Sequence, residues 1–147
     1  MDSSPEVAAR RAELERTAPV VARGARKRTT WSGRNVFFLC GTIGAEFDAW
    51  QRRLAVTSAA DALLSQQVGL AAVERVMDEL EEKARAEAEA EGLKLLPRRS
   101  PGYADLPLSL SRTILDELDA PRKLGVSITD SDLLVPSKSV TAVCEIV

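Results

Sequence analysis

At 147 residues the chain is long enough for one domain with a real hydrophobic core and too short for two of ordinary size. Hydrophobic residues make up 45% and charged residues 29%, the profile of a soluble globular protein, and a net charge of −2 argues against a general nucleic-acid binder. Histidine is absent, which removes the commonest general base and the commonest transition-metal ligand.

Residues 1–34 form a distinct segment rich in Arg and Ala, and Ser3 or Ser4 ahead of Pro5 marks a helix start. Eight Lys or Arg residues fall between Arg10 and Arg34, including Arg26-Lys27-Arg28. A solvated basic helix and arm is expected here, with a docking or phosphate-binding role as the sharper alternative. The N-terminus lacks the apolar core of a signal peptide, and no apolar run approaches the roughly 20 residues of a membrane span, so a cytoplasmic protein is expected.

The apolar run 35–43, flanked by glycines and carrying aromatic and β-branched residues, predicts a buried strand. A helix follows over 45–56, where Phe47, Trp50 and Leu54 recur at helical spacing. A longer one covers 58–92, with Leu63, Leu70, Val73, Met77, Leu80 and Ala84 as its apolar stripe. Glu79–Lys83 and Glu81–Arg85 are i,i+4 pairs in the favourable order. The Ala-Glu tail at 84–91 has nothing large to bury and is expected in solvent, ended by Gly92.

After a Pro/Gly loop, 108–118 is a short amphipathic helix with Ile114, Leu115 and Leu118 on one face, and Gly125 closes the helical region. Strand-like segments follow at 126–129, 133–135 and 139–147, with a turn at Pro136-Ser137-Lys138. The last alternates Val140, Ala142, Cys144 and Ile146 against Thr141 and Glu145, as a half-buried strand would. Cys40 and Cys144 lie in apolar runs and read as buried free thiols, and no metal site is expected. Strands at both ends around central helices predict an α+β fold, an antiparallel sheet packed with helices that include one long central helix.

Arg98-Arg99-Ser100-Pro101-Gly102-Tyr103 stands out. Pro97 and Pro101 bracket two guanidinium groups, followed by a glycine and the only tyrosine. A loop that holds a planar cation and an aromatic ring at a set distance suits a carboxylate attached to something flat.

This loop, together with Leu118-Asp119-x-x-Arg122-Lys123-x-Gly125-Val126, Thr129-x-Ser131, Pro136-x-x-Ser139-Val140 and Gly41-Thr42-Ile43-Gly44, resembles the activation domain of cobalamin (vitamin B12)-dependent methionine synthase, and more closely its short stand-alone members. The likeness covers 35–147, leaving 1–34 as a basic helix and arm. It implies a bent antiparallel sheet and a shallow S-adenosylmethionine groove. It also implies a role in reductive reactivation, in which a flavodoxin-type protein supplies the electron and the methyl group reaches cobalt on another domain. Carried over by position, Arg98 meets the ligand carboxylate, Ser100, Gly102 and Tyr103 complete the loop, and Glu74 and Asp78 face the ligand's positive end. No residue is assigned a catalytic role.

Cobalamin would come only through a partner, a cobalamin-binding methionine synthase subunit, so the chain is expected to be an accessory part of that methyltransferase system rather than a complete enzyme. A homodimer is compatible with this; a nucleic acid is not expected. Two departures matter. Residues 1–34 do not match the β-rich sequence that precedes the glycine-bounded strand in related proteins, so the family aspartate from that region has no counterpart. The chain also stops one strand after Pro136, ahead of another ligand-contacting aromatic. The alternative is a structural or interaction protein of the same fold that has lost the ligand and acts through dimerisation or docking.

Overall fold

The computed structural model describes residues 4–103 and 105–147; Ser3 lies outside them. Helix α1 (Pro5–Thr17) begins at Ser4, whose hydroxyl accepts the Val7 N–H at 3.1 Å, with proline in the first turn. Strands β1 (Arg23–Trp31) and β2 (Arg34–Thr42) form a hairpin through Ser32 and Gly33, at φ of 53° and 74°, as a two-residue type I′ turn requires. Helices α2 (Ala45–Thr57) and α3 (Ala59–Ala90) follow, with the Ser58 hydroxyl capping α3 at Asp61 N–H. Then come α4 (Leu110–Leu118), α5 (Ala120–Leu124), a small ladder of β3 (Ser127–Ile128) with β4 (Leu134–Val135), and β5 (Ser139–Glu145).

The main sheet is antiparallel with order β1-β2-β5, so the apolar strand β2 sits in its centre. The α+β class and the long helix stand as expected. Residues 23–31 do not: they form an edge strand paired with β2 along its whole length rather than a helical arm. Three of the cations on β1 have acidic partners, drawn from both sides of the sheet. Arg26 pairs with Glu87 of α3 at 2.6 Å and Arg28 with Glu91, which caps the end of α3, while Lys27 pairs with Glu117 of α4 at 3.5 Å. Ala25 and Trp31 pack on the α4 side.

Each face of the sheet carries its own core. Phe37, Leu39, Ala142 and Cys144 pack under α3, joined by Phe47 of α2 and Leu14 of α1. Val36, Phe38, Cys40 and Val143 pack under α4 and α5. Burial of each large side chain here contributes about 1.5–3 kcal/mol relative to exposure. Consequently β5 is not half-buried: Val143 faces the second core, and the Thr141 hydroxyl is paired with Ser111 of α4 at 2.9 Å. Burial pushes both free thiols up to about 12, and neither is in a disulfide.

The stripe of α3 also differs from expectation in its first half. Leu63 and Leu70 are 68% and 58% exposed, and the helix buries Ser65, Val68, Gly69 and Ala72 instead. The reason is close packing of α2: a Cβ at Gly69 would lie 2.7 Å from the Phe47 ring, so small residues must face that helix. The Ala-Glu tail is not simply in solvent either. Ala84 and Ala88 are fully buried on the sheet, where a larger side chain would push the helix off.

Candidate functional site

The arginine loop is positioned by the sheet edge. Residues 94–99 run antiparallel along β5, exchanging backbone hydrogen bonds between Lys94 and Val147 at 2.7 and 2.8 Å and between Arg99 and Val143 at 2.9 Å, with Leu96 N–H donating to Glu145 at 2.8 Å. Leu95 lies opposite Ile146 and Arg99 opposite Val143, so this strap has one residue more than β5 between the two bridges. Pro97, which has no N–H to give, sits in that bulge. The two arginines consequently serve opposite sides of the sheet. Arg98 reaches α3, while Arg99 pairs with Asp105 and lines a small cavity of about 110 Å³ with Trp31, Val36 and Val143.

Arg98 is held by three carboxylates from successive turns of α3. Its Nη2 donates to Glu74 at 2.7 Å, and its Nη1 donates to Asp78 at 2.9 Å and Glu81 at 2.8 Å. The exposures form a gradient: Arg98 is 20% exposed, Glu81 14%, Glu74 47% and Asp78 69%. Burial opposes the charge on Arg98, but the hydrogen bonds it donates to Asp78, Glu81 and Glu74 outweigh it and hold its pKa above the ordinary arginine value. Arg85 adds a second cation, bound to Glu81 at 2.9 Å and to Glu82 at 3.4 Å. Two cations against four acids leave a local excess of two negative charges.

The predicted site residues therefore divide. Arg98, Glu74 and Asp78 converge on one another. Ser100 continues the loop half-buried, and Pro101 is buried. Gly102 has φ of +94° and donates its N–H to Leu106 O at 2.9 Å, a turn geometry that L side chains rarely adopt. Tyr103 is 74% exposed and belongs to neither core. Glu81, the most buried of the three acids, was missed as a partner of Arg98. Its signal was its spacing, seven residues after Glu74 and three after Asp78, which puts all three on one face. Asp78 also borders a groove of about 460 Å³ between the 20–22 segment and α3, lined by Val20, Ala22, Ala72 and Val76. That volume is in the range of small-molecule sites.

The remaining motifs are held by ordinary structural contacts. The Ser137 N–H and hydroxyl donate to Asp48 at 2.9 and 2.7 Å, and Ser139 donates to Thr42 at 2.8 Å. Among the described residues no group of Cys, Asp or Glu is placed to hold a metal ion, and no helix is long and apolar enough to cross a membrane.

No family model matches the sequence, and no curated protein matches it. Among solved structures, the crystal structure of the MetH reactivation domain bound to AdoHcy is similar in fold, with a TM-score of 0.60 and 20% sequence identity. The match covers 76% of this chain and 39% of that one. The chain thus spans well under half the length of that neighbour, and the likeness is one of fold.

Proposed function

We propose that the chain is a stand-alone S-adenosylmethionine-binding module that supports reductive remethylation of a corrinoid-dependent methionine synthase. The observation that carries this reading is the cluster of Arg98 with Glu74, Asp78 and Glu81, set on a fold similar to a reactivation domain. The residues suit the ligand's charges. S-adenosylmethionine presents one carboxylate and two cationic centres, while the cluster offers one strongly held guanidinium and a surplus of acid. Asp78, the most exposed acid, is the partner that a ligand carboxylate would replace on Arg98, in the bidentate manner a guanidinium allows. Glu74 and the displaced Asp78 would then face the sulfonium and ammonium groups. Gly102 would let the backbone approach the ligand, with Ser100 and Tyr103 on either side of it.

The bound ligand would supply the methyl group, and this chain would lend no nucleophile. It acts in this reading as a cytoplasmic accessory part, with the 35–147 portion holding the ligand. Cobalamin would be carried by the partner subunit, with a flavodoxin-type protein as electron donor. Isothermal titration with S-adenosylmethionine tests this. Binding is expected for the intact chain and should weaken about 30-fold or more in Arg98→Ala, the loss expected when one partner of a charged pair is removed. Absence of binding by the intact protein, with and without the corrinoid partner, would sink the claim.

One observation favours a second reading. Arg98 already gives three hydrogen bonds to carboxylates of α3, so it serves equally as a clamp that fastens the strap to that helix. In that case Arg98→Ala lowers the melting temperature, no ligand binds, and exposed Leu63 and Leu70 support a dimer or a docked partner.

A further inference from the structure

The two outer edges of the sheet are treated differently. The edge of β5 is covered by the 94–99 strap, whereas the edge of β1 has no backbone partner among the described residues. Which groups are free follows from the hairpin. Its two-residue turn makes Trp31 and Arg34 a hydrogen-bonded pair, so with the register given, Thr29, Lys27, Ala25 and Arg23 also bond to β2. Gly24, Arg26, Arg28 and Thr30 then direct both N–H and C=O outward. The same alternation accounts for bonds observed on the far side of the sheet, such as Ile146 N–H to Asn35 O at 2.9 Å and Val143 N–H to Arg99 O at 2.9 Å.

The charge on this edge has one sign in the chain and room for more partners. No Asp or Glu lies between Glu15 and Glu46, while Arg16, Arg23, Arg26, Lys27, Arg28 and Arg34 all fall in that interval. Arg26 spends Nε and Nη2 on Glu87 and Arg28 spends Nη1 on Glu91, so each guanidinium keeps unspent N–H groups. Lys27 is 51% exposed and reaches its carboxylate partner only at 3.5 Å.

We propose that the open edge of β1 receives an extended acidic segment of another protein by strand addition. The backbone supplies the ladder, and Arg26, Lys27 and Arg28 select the sign of the added strand's side chains. A second copy of this chain is a poor occupant. Two β1 edges paired antiparallel about Lys27 would put Lys27 opposite Lys27 and Arg26 opposite Arg28, and like charges directly opposed are destabilising. A nucleic acid is a poor one too. The free groups are donors and acceptors alternating at strand spacing, and a phosphate backbone would use only the donors.

The experiment measures anisotropy of a labelled peptide that alternates glutamate and valine over the length of β1, against the intact chain. Saturable, salt-sensitive binding is expected. Thr30→Pro, which removes one outward N–H and no bond to β2, should weaken it roughly 2–10-fold. The same peptide N-methylated at alternate residues should not bind the wild-type protein at all, an arm that does not depend on any variant folding. On complex formation the Arg26, Arg28 and Thr30 amides should gain protection from hydrogen exchange. The proposal is overturned if the peptide does not bind, if the N-methylated peptide binds equally well, or if a single-stranded oligonucleotide displaces the peptide at equal affinity. It is also overturned if the protein forms a dimer that Thr30→Pro abolishes.

Discussion

A methyl group at Gly41 would sit 2.8 Å from both Met77 Sδ and Val76 Cγ1, deep under α3. The methionine can swing aside, but the branched valine on a packed helix cannot do so cheaply. Gly41→Ala is therefore expected to cost about 1–3 kcal/mol by overpacking, read as a lower denaturation midpoint without change in the slope. The first glycine of Gly41-Thr42-Ile43-Gly44 thus allows the close packing that a glycine at the end of a buried strand suggests. The loop singled out Arg98 and resemblance singled out Glu74 and Asp78, which the fold brings against it, but the third acid was missed, because Glu81 had already been matched with Arg85 on its own helix. Both arginines in fact share it.

Among the elements, α1 is tied down by little: Leu14, 2% exposed, and a bidentate contact from Arg10 Nε and Nη2 to Asp61 at 3.0 and 2.7 Å. Hydrogen bonding from Arg10 holds the Asp61 carboxyl below its ordinary value. A carboxyl depressed in the folded state contributes stability above its unfolded pKa of about 3.9 and loses it as pH falls. Arg10→Ala should accordingly speed hydrogen exchange across α1 near neutral pH, and its difference from wild type should vanish as acidification protonates Asp61. The sequence located α4 best by its one apolar face and β2 by its continuous apolar run, which both cores cover. In β1 long cationic side chains hid the alternation, because their partners lie on helices far away in sequence. In α3 the two exposed leucines outweighed Ser65 and Gly69, whose smallness matters only once Phe47 is packed against them. The helix could be recognised; its rotation could not.

At the level of the whole molecule, the sheet separates two cores and belongs to both. Trp50 packs with the α3 side and Trp31 with the α4 side. Single-tryptophan variants, Trp31→Phe and Trp50→Phe, should therefore melt with coincident transitions, since neither core keeps its floor without β2 and β5. Separate midpoints would mean that the layers unfold independently. Coverage of both sheet faces was not legible from β5, because one strand's pattern does not say which helices will return to it. The placement of β5 also orders events in time. Arg98 is aimed by a strap whose backbone bonds, among the described residues, go to β5 and to Val147 just beyond it, and β5 bonds to β2 about a hundred residues earlier in the chain. Such distant pairing is slow to form. During synthesis, Glu74, Asp78 and Glu81 emerge before Arg98, and of the three only Glu81 has a cation partner on its own helix, Arg85, until β5 pairs with β2 and brings Arg98 over them. The cluster thus closes only once β5 is in place, and a chain stalled short of β5 would display these acids without Arg98 as the mark of unfinished folding.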